Sequence, residues 1–325
     1  MRILARSDIE NLITMREAIA AMEEVFAALT NQEVQVPERT VLTMDQSENS
    51  VLFMPAYLKR TAGVGLKVVS VFPANAAKGI PVISAQIMMC DPANGEVSAI
   101  LEGGYITALR TAATTAVATK NLARGDARNL GVFGAGVQAK SQIVAHREVR
   151  NLSRIIIYDI DGNKAEALAQ HFQLLCGQSC ECSAAKSPEE LVTLSDIIVT
   201  ATTSQTPVFK GDWLKKGTHV NSIGSYKPHV REVDDATIQR SRIFVDSYKH
   251  ALKEAGDLIM PLKTGVMSER HILAELGELV LGRKEGRELP DDITFFKSVG
   301  LGVQDIAVAQ RVLEKAIQRN VGLVV

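Results

Sequence analysis

The order of hydrophobic and polar residues predicts helix at the start of the chain and strands after it. Apolar residues from Ala18 to Leu29 recur at helical spacing, so one face of this first helix is expected in the core. Thr14-Met-Arg-Glu17 matches a capping box at its start, and Ser7-Asp-Ile-Glu10 matches another. The pattern then changes to strands, expected at residues 39–44, 50–58, 64–72, 82–90 and 97–101. Strands joined in sequence by tight turns such as 91–95 predict a mainly antiparallel sheet.

From residue 129 onward, strand and helix patterns alternate. Strands are predicted just before Gly134, at 154–159, near Cys182, and at 196–202, 218–224 and 242–246. This alternation predicts a parallel, doubly wound sheet with right-handed crossovers, whose ligands gather at the carboxyl ends of the strands. Residues 295–304 are expected to form a loop that leads into a helix from Asp305 to about Arg319. That helix is predicted to pack on the first domain and make it discontinuous.

Composition limits the classes of function. The chain has 325 residues, 46% of them hydrophobic, and 36 basic residues nearly balance 37 acidic ones. A chain of this length can bury a large core and form two domains. There is no basic stripe that would indicate nucleic-acid binding, and no apolar run approaches the roughly eighteen residues of a membrane span. With no signal-peptide pattern either, we expect a soluble cytoplasmic protein.

Three of the four cysteines crowd together as Cys176, Cys180 and Cys182. Such a cluster could bind a metal. However, no second cluster and no histidine at ligand spacing accompany it, and Cys180 and Cys182 alternate as core strand residues do. The sequence therefore predicts no metal site.

The motif Gly134-Ala-Gly-Val-Gln-Ala139 lies between a predicted strand and a predicted helix, which is typical of a dinucleotide-binding turn. Gly134 would allow the tight turn, and Gly136 would let the backbone approach a pyrophosphate at the helix start. Asp159 ends the next strand, where a carboxylate can hold a ribose 2′-hydroxyl. The alternative is an ordinary strand-turn-helix unit of an α/β core.

Two cations stand among apolar residues. Lys67 lies within a predicted strand, where it is either an edge-strand lysine that reaches water or an ammonium directed into a site. Arg110 is the one charged residue in the predicted helix at 105–119. An arginine in this setting usually meets an anion, and that anion is either a buried carboxylate of the protein or one on a ligand.

Several stretches together resemble the ornithine cyclodeaminase and mu-crystallin family. They are Phe53-Met-Pro-Ala56, Gly65-Leu-Lys67, Lys78-Gly-Ile-Pro81, Leu109-Arg-Thr-Ala112, the glycine motif at 134–139, Val199-Thr-Ala-Thr202, Val220-Asn-Ser-Ile-Gly224 and Ser298-Val-Gly-Leu301. The resemblance covers nearly the whole chain in order. It implies an α/β fold with a Rossmann doubly wound parallel sheet at residues 121–304. A discontinuous α+β domain for substrate binding and dimerisation would occupy residues 1–120 with 305–325.

The resemblance also implies roles for individual residues. Arg39, Lys67 and Arg110 would bind the carboxylate of a small imino or amino acid, with Val299 near that substrate. The cofactor NAD(H), with NADP(H) left open, would contact Thr111, Gly134, Ala135, Gly136, Val137, Gln138, Asp159, Thr200, Thr202, Ser222, Ile223, Gly224 and Ser298. Because Asp159 carries a negative charge that repels a 2′-phosphate, NADH is the expected form. The family also pairs as dimers, so a homodimer is expected.

One departure from the family affects the predicted reaction. Cyclodeaminases carry an acid/base aspartate where this chain has Tyr226, in Gly224-Ser-Tyr-Lys-Pro228. A tyrosine with a pKa near 10 is a poor substitute for a carboxylate. Reduction of a preformed cyclic imine requires only an anchored carboxylate, a hydride donor and one proton.

The sequence therefore predicts an NAD(P)H-dependent imine reductase, with Δ1-pyrroline-2-carboxylate to L-proline as the leading reaction and Lys67, Arg110 and Tyr226 as candidate catalytic residues. The alternatives are ornithine cyclodeamination, alanine dehydrogenase chemistry and a non-catalytic, crystallin-like NAD(P)H-binding protein.

Overall fold

The computed structural model describes residues 1–44 and 49–325. It contains two compact units, Met1–Arg110 with Gly300–Val325, and Thr111–Val299. The division at residue 110 falls inside one continuous helix, so contacts alone do not define a functional domain boundary there. The domain bounds expected from the sequence, 1–120 with 305–325 and 121–304, stay a prediction.

The first part of the chain contains three helices and seven strands. In chain order these are β1 (Arg2–Leu4), α1 (Arg6–Glu10), α2 (Met15–Thr30), β2 (Val34–Gln35), β3 (Thr40–Thr43), β4 (Ser50–Leu58), β5 (Gly63–Val71), β6 (Ile83–Cys90), β7 (Val97–Glu102) and α3 (Gly103–Leu122), with a 3-10 helix at Pro73–Lys78. These elements lie within residues 1–44 and 49–122, which the structure describes.

The alternating part follows. It consists of β8 (Asn129–Phe133), α4 (Val137–Val149), β9 (Arg154–Tyr158), α5 (Gly162–Cys176), β10 (Glu181–Ala184), α6 (Pro188–Leu194), β11 (Ile197–Thr200), β12 (His219–Ser222), α7 (Asp235–Arg240), β13 (Ser241–Val245), α8 (Tyr248–Glu254), α9 (Gly256–Thr264), β14 (Ile272–Glu275), α10 (Leu276–Val280) and β15 (Ile293–Lys297). Short 3-10 helices occur at Gly211–Trp213 and Glu269–His271. The chain then returns to the first unit with α11 (Gly302–Gln318) and β16 (Leu323–Val324).

The sheet of the first unit has the strand order β16-β1-β7-β6-β5-β4-β2, with β3 also paired to β4. Its pairs are antiparallel apart from β1 with β7, as the sequence pattern predicted. Helix α11 packs across β4 and β5. Gly65 permits this close approach, because a Cβ at that position would lie 2.8 Å from Cδ1 of Ile306 on α11.

The sheet of the second unit has the order β10-β9-β8-β11-β12-β15-β13-β14, and all its recorded pairs are parallel. One apolar core lies on each face. Phe133 and Ile156 belong to one core, whereas Val132 and Ile157, their neighbours in sequence, belong to the other. Successive strand residues point to opposite faces, so a sheet covered on both sides needs apolar residues throughout. The predicted α/β fold class, with a Rossmann doubly wound sheet, is confirmed.

Two local predictions are wrong. Ser7 does not cap a helix, because α1 begins at Arg6, two residues before the start that a Ser7 cap requires; Ala5 is the N-cap, and the Asp8 carboxylate accepts the Ala5 N–H at 2.9 Å. Residues 295–304 are not one loop, since β15 pairs between β12 and β13 and α11 starts at Gly302. The Thr14 capping box is confirmed. Among the described residues, no helix has both the length and the apolar character needed to cross a bilayer.

Candidate functional site

Lys67 occupies the centre of the first unit's sheet. Its strand, β5, pairs with β4 on one side and with β6 on the other, so the alternative of an edge-strand lysine is wrong. Only 1% of Lys67 is exposed, and its Nζ lies 2.7 Å from Oδ2 of Asp305. A buried ammonium requires a counter-charge, and α11 supplies it from its first turn.

Arg110 meets the same carboxylate. Its Nε donates to Oδ1 of Asp305 at 3.0 Å, and its Nη1 donates to Oε1 of Gln304 at 2.8 Å. The sequence left open whether Arg110 meets a buried carboxylate of the protein or one on a ligand. In the structure, Arg110 pairs with a carboxylate of the protein, that of Asp305. Neither Asp305 nor Gln304 was predicted as a site residue: Gln304 was taken for the end of a loop, and Asp305 for the first residue of the helix that follows.

Arg39 is the third cation of this cluster. Its Nη2 donates to the carbonyl oxygen of Gly300, just before α11. We call Arg39, Lys67, Arg110 and Asp305 the cation cluster. Lys67 and Arg110 carry two positive charges against the one carboxylate that they share, and Arg39 adds its own. The cluster therefore has the charge to attract a further carboxylate.

Burial and charge shift the titration of the cluster. Burial lowers the pKa of Lys67 to about 7; Asp305 opposes this shift, whereas Arg110 and Arg39 increase it. Burial also disfavours ionisation of Asp305, but Arg110 and Lys67 outweigh it and lower the pKa of that carboxyl group. An amine with a pKa near 7 can donate and accept a proton near neutral pH.

A second set of predicted residues gathers at one edge of the parallel sheet. Gly134, Asp159, Thr202, Gly224 and Ser298 follow β8, β9, β11, β12 and β15. These five strands are consecutive neighbours in the sheet and run parallel. Their carboxyl ends therefore lie along the same edge, where doubly wound folds bind nucleotides.

The glycine turn fits a pyrophosphate. Gly134 has φ +99°, and a Cβ there would lie 2.5 Å from the carbonyl oxygen of Ala201, so both conformation and space require glycine. Gly136 is the N-cap of α4, and a Cβ there would meet no described atom within 4 Å. Internal packing therefore does not require glycine at position 136, and the bare backbone there leaves room for a ligand. Val137, the first residue of α4, follows it with a third of its surface buried.

Asp159 braces the glycine turn. Its Oδ2 accepts the N–H of Ala135 at 2.8 Å, and its Oδ1 accepts the N–H of Asp161 at 2.9 Å. The carboxylate is thereby held at the end of β9, beside the turn. This position suits a contact with a ribose hydroxyl and opposes a 2′-phosphate. The nearby cation Lys164 is paired with another acid, since its Nζ lies 3.6 Å from Oδ2 of Asp161.

A buried glutamate, Glu232, organises this edge of the sheet and was missed by the sequence analysis. It is fully buried, and four predicted cofactor residues donate to its carboxylate. The donors are the Thr200 hydroxyl at 2.7 Å, the Thr202 N–H and hydroxyl at 2.8 Å each, the Ser222 hydroxyl at 3.3 Å and the Gly224 N–H at 2.7 Å. Any contact of Thr200 or Ser222 with a cofactor must use atoms other than these hydroxyl protons.

Two further acids fix the neighbouring strand end. Asp246 accepts the Ser298 hydroxyl and the Val299 N–H, both at 2.8 Å. Asp257 lies 2.6 Å from Nζ of Lys297, and both side chains are fully buried. These acids hold the turn after β15 in place.

The other predicted site residues lie on three segments of the second unit. Thr111 is buried in α3, and Ala135 and Gln138 belong to the turn and first turn of α4. Ile223 follows β12, and Tyr226 is half-buried against the apolar core of one sheet face. Their assignments stay predictions.

Known proteins share this sequence and architecture. The model of the ornithine cyclodeaminase/mu-crystallin family matches residues 1–320. The chain belongs to this family. It is 39% identical to a Δ1-pyrroline-2-carboxylate reductase of Bacillus cereus, over 99% of this chain and 98% of that protein.

Two solved structures are similar to the whole chain. One is Δ1-pyrroline-2-carboxylate reductase of Thermococcus litoralis in complex with NADH and L-proline, with a TM-score of 0.97, 43% identity and complete coverage of both chains. The other is an archaeal alanine dehydrogenase dimer with bound NAD, with a TM-score of 0.92, 33% identity, and coverage of 99% and 98%. The family predicted from the sequence is confirmed.

Proposed function

We propose that this chain is an NAD(P)H-dependent reductase that converts Δ1-pyrroline-2-carboxylate to L-proline. The observation that carries the proposal is the cation cluster, in which buried Lys67, with a pKa near 7, stands beside buried Arg110 and half-buried Arg39. The similarity over the full length to reductases of this imine supports the substrate class. NAD(H) is the cofactor that we assign, because NADH or NAD is bound in the two solved relatives.

The cluster divides the work on the substrate. Arg39 and Arg110 attract the carboxylate, and Asp305 keeps Arg110 and Lys67 in fixed positions. Lys67 donates a proton to the ring nitrogen while the C=N carbon is reduced. One imine, one hydride and one proton then give one proline.

The turn at 134–138 and Asp159 would hold the dinucleotide, with its pyrophosphate at the start of α4. When bound, the reduced nicotinamide supplies the hydride. The Asp159 carboxylate favours NADH over NADPH. Thr111, Thr202, Gly224 and Ser298 complete the proposed cofactor site, with Val299 and Tyr226 on the substrate side.

The direct test is to mix the protein with Δ1-pyrroline-2-carboxylate and NADH, follow the loss of NADH absorbance and identify proline by chromatography. The proposal expects one proline per NADH consumed. Cyclic imines with a six-membered ring and 2-oxo acids with ammonia or methylamine belong in the same series. Absence of turnover with every member, under conditions where NADH binds, would rule the reductase out.

Alanine dehydrogenase activity is the second candidate, because the archaeal alanine dehydrogenase is similar over the whole chain. Pyruvate with ammonia and NADH tests it in the same assay. Ornithine cyclodeamination is tested by ammonia release from L-ornithine with catalytic NAD. Tyr226, at the position of the family's acid/base aspartate, argues against ornithine cyclodeamination.

We also propose a homodimer that works in the cytoplasm. Strand β3 exposes two large apolar side chains, Val41 at 49% and Leu42 at 55%, and Met44 follows at 39%. An exposed apolar patch of this kind is typical of an association surface. Analytical ultracentrifugation of the wild type and of Leu42→Glu should show a dimer and a weakened dimer; two equal distributions would exclude β3 from the interface.

A further inference from the structure

The three clustered cysteines lie close together at the edge strand of the parallel sheet. Cys176 is the last residue of α5, Cys180 precedes β10, and Cys182 lies within β10. Their sulfur atoms all lie within 4.8 Å of one another. The sequence predicted Cys180 and Cys182 as core strand residues. Cys180 is buried, as predicted, but Cys182 is only half-buried.

We propose that Cys176, Cys180 and Cys182 bind one soft metal ion, Zn²⁺ or Cu⁺, which fastens α5 to the edge strand β10. Thiolates are ligands that these ions prefer: Cu⁺ accepts three sulfur ligands, and Zn²⁺ completes its tetrahedron with a fourth, external ligand. With metal–sulfur bonds of about 2.3 Å, sulfurs lie about 3.8 Å apart. Each thiol therefore needs to move by about 1 Å or less.

The backbone between the ligands is held in place without the metal. The Cys182 N–H donates to Oε1 of Gln173 at 2.8 Å, and Nε2 of Gln173 donates to the carbonyl of Gly177 at 2.6 Å. The hydroxyl of Ser179 donates to the carbonyl of Cys176 at 2.6 Å. Because the neighbouring groups already fix the turn, little ordering is required when the ion binds.

A cavity and a positively charged side chain lie beside the cysteine cluster. An open cavity of about 450 Å³ lies beside Cys180 and is lined by residues 147–152, Ser179 and Cys180. Arg147, one of these residues, acts on the Cys180 thiol as a nearby positive charge. Three thiolates around Zn²⁺ leave one net negative charge, which this guanidinium can offset.

The site lies apart from the proposed chemistry of the second unit. Cys182 pairs with Ile155, near the start of β9, whereas Asp159 follows the other end of that strand. We therefore assign the ion a structural role. Binding should raise the melting temperature by about 5 °C when the free ion exceeds its dissociation constant a hundredfold.

The test uses the reduced, chelator-treated full chain and Co²⁺, whose absorption bands report thiolate coordination. The wild type and Cys90→Ser, which alters the cysteine of β6, should bind one Co²⁺ and release it to Zn²⁺ or to Cu⁺. Cys182→Ser should lose at least about a hundredfold in affinity and the gain in melting temperature, while its rate of imine reduction stays within twofold of wild type. Competition between Zn²⁺ and Cu⁺ then identifies the preferred ion.

Several outcomes would overturn the proposal. One is a wild type that binds none of the three ions, and another is a Cys182→Ser variant that binds as tightly as the wild type. A third is a non-reduced protein with two free thiols and a mass two hydrogens lower, which would identify a disulfide in place of a metal site. Should Cys176→Ser fail to fold, Cys182→Ser and the thiol count decide the question, because half-buried Cys182 tolerates serine more readily.

Discussion

The cation cluster of the first unit differs in construction from the edge of the second unit's sheet where Gly134, Asp159, Thr202, Gly224 and Ser298 follow their strands. We call this edge the nucleotide edge, after the cofactor that we propose for it. The cluster joins charged side chains from β5, α3 and α11, with Lys67 and Asp305 far apart in sequence. The nucleotide edge uses backbone groups and small residues at the ends of five neighbouring strands. One region depends on placing buried charge, and the other depends on local turns repeated along a sheet.

This difference predicts how each region fails. Loss of a charge from the cluster removes a chemical group that no neighbour can replace. Loss of an anchor at the nucleotide edge shifts several backbone groups slightly, so binding weakens while the chemistry survives. Four substitutions test this contrast, beginning with the largest expected effect.

Lys67→Met should lower kcat by about a thousandfold, because it removes the proposed proton donor. The affinity for NADH, measured by fluorescence titration, should change little, whereas the melting temperature should fall because buried Asp305 loses one of its two counter-charges. Lys59→Met, the same substitution at an exposed lysine of the same unit, serves as the control. A Lys67→Met enzyme with more than a tenth of wild-type turnover would show that the cluster only binds substrate.

Glu232→Gln should raise the KM for NADH by about thirtyfold and leave kcat within a few fold. The carboxylate of Glu232 offers two acceptor oxygens to its donors, whereas the amide of glutamine offers one. A loss of about 2 kcal/mol in cofactor binding corresponds to a thirtyfold rise in KM. Steady-state kinetics with saturating imine measures it. Glu189→Gln, at an exposed position of α6, is the matched control. Equal KM values for the variant and wild type would exclude Glu232 as a positioning residue.

Asp305→Asn should lower the pH above which kcat declines. Lys67 must be protonated to act as the acid, so wild-type kcat should fall as pH rises through about 7. Asp305 raises the pKa of Lys67, so its loss should lower the midpoint of this decline by about one pH unit. At pH 8 this lowers kcat by about tenfold. A pH profile that stays in place, with Asp212→Asn as control, would separate Asp305 from proton transfer.

Asp159→Asn should lower the preference for NADH over NADPH by about fivefold. The substitution removes one negative charge from the place expected for the 2′-phosphate, and a charge interaction near the surface contributes about 1 kcal/mol. Asparagine keeps an oxygen that can accept the Ala135 N–H. The ratio of kcat/KM for the two cofactors measures the effect. A ratio that does not change would mean that another residue selects the cofactor.

Sequence patterns predicted the nucleotide edge better than the surroundings of the cluster. The motif at 134–139 and the strand ending at Asp159 are local, and the parallel sheet brings their neighbours to one edge. Glu232 was not predicted as a site residue, because it does not directly follow a strand. Its role depends on hydrogen-bond donors that folding brings to its carboxylate. Lys67 and Arg110 were conspicuous as charges among apolar residues, but nothing in the sequence showed that both would meet Asp305.

The fold class, the family and the residue types available for the chemistry could all be predicted from the sequence. Apolar periodicity and glycine turns act over a few residues, so a linear pattern contains them. Three features emerge only in the folded chain: Arg110 pairs with a carboxylate of the protein, burial lowers the pKa of Lys67, and three cysteine sulfurs converge. Charge pairing, desolvation and metal coordination depend on distances through space, and folding sets those distances between residues far apart in sequence.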